Sequence, residues 1–132
     1  MTALEVGAEL APRTEPPISR TTLALFAGAS GDHNPIHIDI DVARSAGLGD
    51  VFAQGMLSMA YLGRLLTARF PQDRIRSYGV RFAAITPLYG EPTCTARVTA
   101  VEENEVTLDI AVSLADGTTT LSGHAVIDTR AR

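Results

Sequence analysis

Ser30-Gly31-Asp32-His33-Asn34-Pro35-Ile36-His37-Ile38-Asp39 crowds ionisable and hydrogen-bonding side chains into a stretch that Gly31 and Pro35 make tight. Asp32 and His37 lie five residues apart. A general acid and a general base must reach the same reacting atom, and two groups on one short loop can do so. Asp32 is the natural acceptor, and His37 is an imidazole able to take or give a proton near neutral pH. Taken singly, each residue reads as structural: Asp32 as a cap on backbone amides, His37 as a satisfied histidine. The local density of Asp32, His33, Asn34, His37 and Asp39 favours a proton-transfer site instead.

A second chemical feature is Gln54-Gly55-Met56, at the mouth of the most apolar stretch of the chain. A glycine in the first turn of a helix leaves N–H groups free and lets a ligand approach the backbone. The helix dipole favours negative charge there. A carbonyl oxygen that becomes an enolate can rest on such an N–H. Alone, Gly55 would read as a packing glycine. Ser58, one turn further in, can hydrogen-bond the backbone or help orient the site, although a serine inside a helix is more often filler.

Other chemistries have less support. His33, His37, Asp39 and Asp41 are types that bind metals, but no zinc spacing is present. An EF-hand loop counted from Asp32 would meet Ala43 at its acidic twelfth position. No G-x-S-x-G surrounds a serine, and no glycine-rich phosphate loop appears, so neither a hydrolase triad nor a nucleotide cofactor is expected. Cys94 alternates with apolar neighbours and reads as core. Arg81 can meet a coenzyme phosphate but reads first as a solvated charge on a strand face, and His124 reads as a surface or structural histidine.

The elements that must position these groups follow from periodicity. Residues 1–17 hold three of the seven prolines and read as an irregular arm, with an edge strand over Thr14–Ile18. Ser19 is a fitting N-cap for a helix over Thr22–Ala29, which Gly28, Gly31 and Pro35 stop. Asp41 can cap a short helix over Val42–Ala46. The long helix from Gly55 to Phe70 is apolar nearly all round in its first turns, which predicts burial. Gly63 inside it points to close approach of a sheet, and Pro71 ends it. From Ile75 the period becomes two. Strands are predicted over Ile75–Ala84, Thr93–Glu102, Val106–Leu114 and Thr118–Asp128, with a hairpin at Asp116-Gly117. Helices followed by long antiparallel strands make an α+β domain. A helix of about 15 residues spans roughly 22 Å, a length that ten-residue strands can wrap. So small a sheet leaves edges exposed, which predicts dimerisation by sheet extension.

Composition narrows the setting. The 132 residues suit one domain with its own core. Net charge is −4 and no basic cluster stands out, so nucleic acid is not an expected partner. The apolar stretch Gly55–Phe70 is broken by Arg64 and Arg69 and is too short to cross a membrane. The start of the chain carries Glu5 and lacks the pattern of a signal peptide. A single cysteine fits a reducing cytosol, hence a cytoplasmic protein.

The stretch from Ala27 to Asp39 resembles the hydratase-2 motif of MaoC-like (R)-specific enoyl-CoA hydratases and dehydratases. Ala53-Gln54-Gly55-Met56 and Val80-Arg81-Phe82 match in spacing, and the likeness runs from about Ser19 to Val126. It implies a single hot-dog domain over residues 1–132, in which an antiparallel sheet wraps a long central helix, usually paired as a homodimer. It also implies a lyase, a hydro-lyase of acyl metabolism. In the family the motif's aspartate and histidine, here Asp32 and His37, hold and activate one water for reversible syn hydration of a trans-2-enoyl thioester to an (R)-3-hydroxyacyl thioester. The motif's asparagine, here Asn34, shapes the site, and the helix-opening glycine, here Gly55, offers its N–H to the thioester carbonyl. The implied partner is an acyl-CoA or acyl-carrier-protein thioester. No metal or redox cofactor is implied, because the thioester itself acidifies the α-proton. Some short members act as heterodimers with a related subunit, and a chain carrying the motif would be the catalytic one. Most members have His-Gly-Met where this chain has Gln54-Gly55-Met56; Gln54 can hydrogen-bond but cannot carry a proton. His33 stands where the family is usually apolar. Two other readings remain: a thioesterase of the same fold, and a non-catalytic acyl-thioester-binding subunit.

Overall fold

The computed structural model describes residues 4–131. After a two-residue strand β1 (Arg13–Thr14) come α1 (Arg20–Ser30), a 3-10 turn (Pro35–His37), α2 (Ile40–Ser45) and the long α3 (Gly55–Arg69). A second 3-10 turn (Gln72–Arg74) leads into β2 (Ile75–Phe82), β3 (Thr93–Val101), β4 (Glu105–Ser113) and β5 (Thr119–Asp128). The five strands form one antiparallel sheet in the order β1-β3-β4-β5-β2. β2 is therefore an edge strand although it comes second in the chain. With α3 packed against the sheet, this is the α+β hot-dog architecture expected from the motif.

Alternation explains the sheet. Cys94, Ala96 and Val98 of β3, Val106, Leu108, Ile110 and Val112 of β4, and Leu121, Ala125 and Ile127 of β5 turn inward and are buried. They close over Leu62, Leu65 and Leu66 of α3. Each such aliphatic side chain contributes about 1.5–3 kcal/mol on burial. A second cluster, Ile18, Leu23, Ala43, Val51, Ala53 and Leu57, fixes α1 and α2 against the start of α3.

Element ends shift by one or two residues from the sequence reading, and Gly28 lies inside α1 and does not stop it; three further differences matter more. The first strand is Arg13–Thr14 alone, since Pro16 and Pro17 lack the N–H groups that would extend a ladder. Asp39, not Asp41, caps α2: its carboxylate accepts from the Asp41 amide at 2.9 Å, and Asp41 sits in the first turn. The third concerns α3, which is not buried all round: Met56 is 54% exposed and Ala60 is also exposed. The sheet covers one face and the α1–α2 layer another; a third apolar face is left open. Among the described residues, no helix is long and apolar enough to cross a membrane.

Candidate active site

The motif loop is built from local hydrogen bonds. Ser19 caps α1, its hydroxyl accepting from the Thr22 amide at 3.1 Å. Gly31 closes the helix with φ +78°, a left-handed conformation that suits glycine. Three side chains then each accept from the amide two residues on: Ser30 Oγ from Asp32 at 3.2 Å, Asp32 Oδ1 from Asn34 at 3.3 Å, and Asn34 Oδ1 from Ile36 at 3.2 Å. Such turns suit Ser, Asp and Asn because their short side chains reach their own backbone. Pro35 opens the 3-10 turn that delivers His37. Asp32 thus has one oxygen holding the loop and the other free for chemistry.

His37 is 8% exposed. Its Nδ1 lies 2.7 Å from the carbonyl oxygen of Phe52. A carbonyl only accepts, so Nδ1 carries the proton. The Phe52 ring also meets the imidazole edge-on, at 4.7 Å between centroids. Phe52 is itself held in place: it bridges Pro87, and the next amide, Ala53, donates to Thr86 O at 2.9 Å. Arg20 of α1 makes a two-pronged pair with Asp50, at 2.9 and 2.7 Å, just before this segment. The guanidinium holds the Asp50 carboxyl below the usual range, so the pair stays ionised at neutral pH.

With the proton on Nδ1, the neutral form of the ring offers Nε2 as its acceptor, and Nε2 faces Asp32 Oδ2 at 3.8 Å. Two acceptors that far apart do not bond each other. A water placed between them can donate one hydrogen to each. Its lone pairs then point outward, toward whatever the open face admits.

Gly55 begins α3, and Gln54 gives it no side-chain cap, so the first-turn N–H groups are not covered by that residue. A Cβ built on Gly55 would come within 2.9 Å of the Phe82 ring from β2. Glycine is thus what allows β2 to close on the helix start. A hollow of about 350 Å³, lined in part by Gly55, Phe82 and Thr86, opens on one side. Asp32 lines another, of about 420 Å³, with Met56 and Met59. A larger open hollow of about 1090 Å³ lies over the other face of the sheet, and neither Asp32 nor Gly55 lines it.

The remaining candidates fall elsewhere. Asn34 shapes the loop from its exposed end. Ser58 is fully buried, and its hydroxyl lies 3.4 Å from that of Thr86. It lines neither hollow beside Asp32 and Gly55 and acts on the packing behind the helix start. His33 and Arg81 are exposed. His124 is on the outer sheet face, 2.8 Å from Asp109. Cys94 is buried in the core, which pushes its thiol up to about 11. Sequence reasoning missed Phe52, whose contribution is a backbone carbonyl and so leaves no residue-type signal. It also missed the burial of Gln54, whose Nε2 donates to Leu23 O at 3.0 Å while its Oε1 has no partner among the described residues.

Fold and loop together define a hot-dog domain with an acid–imidazole pair on the motif loop and a glycine at the start of the central helix. The MaoC like domain family matches residues 2–120, and the chain belongs to that family. It is 30% identical over 119 residues to an (R)-specific enoyl-CoA hydratase from Rhodospirillum rubrum, covering 87% of this chain and 82% of that protein. The structure of an (R)-hydratase from A. caviae involved in PHA biosynthesis superposes with a TM-score of 0.85 at 26% identity, over 96% of this chain and 98% of that one. Two 3-hydroxyacyl-thioester dehydratases of Mycobacterium tuberculosis are also similar: Z at 32% identity over 65% of this chain, and X at 39% over 54%. The matches span 61% of dehydratase Z and 27% of dehydratase X.

Proposed function

We propose that the chain is an (R)-specific enoyl-thioester hydratase and 3-hydroxyacyl-thioester dehydratase, a hydro-lyase acting on CoA or acyl-carrier-protein thioesters. The observation that carries this reading is the pair of acceptors, Asp32 Oδ2 and His37 Nε2, facing one gap at 3.8 Å with the tautomer set by Phe52 O. Water held there attacks C3 of a trans-2-enoyl thioester. As the C3–O bond forms, one water proton passes to Nε2 and the C2–C3 π electrons move onto the thioester oxygen as an enolate. The Gly55 N–H stabilises that oxygen. The enolate collapses, and C2 takes the proton back from Nε2. No net proton is gained or lost. Oxygen and hydrogen arrive from the same side, which makes the addition syn.

The steps require no metal or redox cofactor. The working form is a dimer in the cytoplasm, paired through the outer edge of β2, which no strand covers among the described residues. Phe82, at the end of that strand, is 51% exposed in the single chain. A second copy or a related hot-dog subunit would cover it.

The test follows enoyl absorbance with crotonyl- and trans-2-octenoyl-CoA beside a free-thiol assay. Loss of the enoyl band without thiol release is the expected result. Asp32→Asn and His37→Ala should each abolish it with the circular dichroism unchanged. Thiol release would identify a thioesterase instead, and near-parental rates in both variants would remove Asp32 and His37 from the chemistry.

A further inference from the structure

Asp32 and His37 are held by different parts of the fold. Asp32 follows Gly31 at the end of α1, so the line of that helix sets where its carboxylate stands. The His37 ring is anchored through Nδ1 to Phe52 O, so residues 50–54 set where the imidazole stands. The gap of 3.8 Å between the two therefore depends on how α1 lies against that segment. Leu23 of α1 shares a buried cluster with Val51 and Ala53, but apolar packing is not directional. Two polar ties add direction. Gln54 Nε2 donates to Leu23 O at 3.0 Å. At the other end of the segment, the Arg20 guanidinium donates to both Asp50 oxygens, at 2.9 and 2.7 Å.

The Arg20–Asp50 pair is more than a loose surface contact. Two parallel N–H bonds fix the plane of a guanidinium against a carboxylate, which a single bond does not. Asp50 Oδ1 also accepts from the Val51 amide at 2.7 Å, so the carboxylate cannot turn without releasing the backbone one residue before Phe52. Arg44 of α2 holds the residue before Asp50, its Nε donating to Gly49 O at 3.4 Å. The loop that braces Phe52 is tied to the same corner. Pro87 bridges Phe52, the Tyr89 amide donates to Ile18 O at 2.8 Å, and the Ile18 amide donates to Gly90 O at 3.0 Å. Tyr89 is the one non-glycine residue with a left-handed φ, +64°, among those described. So rare a conformation persists where its surroundings over-determine it. The Arg20 and Asp50 side chains both keep contact with solvent, so their pairing adds little to stability. What it supplies is register.

We infer that Arg20 and Asp50 are positioning residues for the reaction: together they hold α1 against residues 50–54, and so keep Asp32 Oδ2 and His37 Nε2 facing one gap with the imidazole proton on Nδ1. The inference rests on the hydratase reading for its effect on rate and on the geometry alone for its effect on the imidazole.

The experiment compares the parent with Arg20→Met, Asp50→Ala and the double variant, each made again in a Gln54→Met background that lacks the other tie. Hydration of crotonyl- and trans-2-octenoyl-CoA gives kcat and KM separately. Heteronuclear NMR of the His37 ring, at a pH where it is neutral, reports which nitrogen carries the proton. Misplacing reacting groups by about 1 Å costs about a hundred-fold. Losing one tie of two should cost about ten-fold in kcat, with KM within about two-fold of the parent. The double variant should fall no further than Asp50→Ala, because the pair acts as a unit. Arg20→Lys, which keeps the charge without the fork, should recover only part of the rate. The parent should show Nδ1–H alone, and the variants a measurable share of Nε2–H, with thermal melts little changed. An unchanged kcat for Arg20→Met in both backgrounds would overturn the inference. So would a parental tautomer retained in both, or a rate loss equal to the fraction unfolded at the assay temperature. If the parent hydrates neither thioester, the hydratase reading fails by itself, and the tautomer alone then decides whether the pair sets the ring.

Discussion

Replacing Gln54 by Met should leave the protein as stable as the parent or slightly more stable, although it removes a buried hydrogen bond. The parental amide is fully buried, with Nε2 donating to Leu23 O and Oε1 unpartnered among the described residues. The Leu23 carbonyl belongs to a helix and keeps its intrahelical donor when Gln54 is lost. Losing the side-chain bond should then cost only about 1 kcal/mol. Removing an unmet buried amide oxygen regains about 1–3 kcal/mol. Methionine matches the volume and bends into irregular space. The balance runs from about zero to about 2 kcal/mol in favour of Met, or up to several degrees in Tm. Gln54→Glu is the contrast. It puts an uncompensated charge, or a forced protonation, at the same buried site and should cost about 3–5 kcal/mol. Urea unfolding of the three proteins, with m-values compared, reads these differences directly. A loss of more than about 2 kcal/mol in Gln54→Met would mean that Oε1 is satisfied in solution, and the reasoning would fail.

Gly55→Ala should lower kcat by forcing the Phe82 ring away from the helix start, and Phe82→Ala in the same background should restore part of the rate; no recovery would place the defect in the backbone N–H itself. Ser19→Ala removes the cap of α1 and should cost about 1 kcal/mol in urea unfolding. Stability should fall as pH rises from 9, the ordinary thiol value, toward 11. The unfolded chain then releases the Cys94 proton while the folded chain retains it. Full titration of this one group amounts to roughly 2–3 kcal/mol. Cys94→Ala should flatten that slope in alkaline melts.

Much of the fold is legible because local chemistry and periodicity agree. Ser19 marks its helix, alternation marks β3 to β5 with their inward residues, and Asp116-Gly117 falls in the hairpin joining β4 to β5. The tight turn of the motif loop is legible for the same reason: its geometry is set by neighbours two residues apart. What fixes the tautomer of His37 is not legible. The carbonyl of Phe52 has no side-chain signature, and it reaches the ring only because residues 52–53 pair with residues 86–87. The choice of Asp39 over Asp41 as a cap turns on two residues of helix phase, finer than apolar spacing resolves. The open face of α3 was hidden because composition shows that a helix is apolar, not which side the sheet leaves uncovered.

The two β2 aromatics, Tyr78 and Phe82, have a consequence for how this chain can change over time. The motif loop, the Phe52 carbonyl, the helix start and the open apolar face of α3 all lie within residues 26–63. From the strands, Tyr78 reaches over that face and Phe82 over the helix start. The inward residues of β3, β4 and β5 build the core, as do Leu23, Leu57 and Leu62 of the first half of the chain, whereas the proposed chemistry rests on Asp32, His37 and Gly55. Selection for a sturdier sheet and selection on the motif loop can therefore proceed largely on separate residues. They meet on β2, where one change can alter the pocket wall and the edge that would receive a partner.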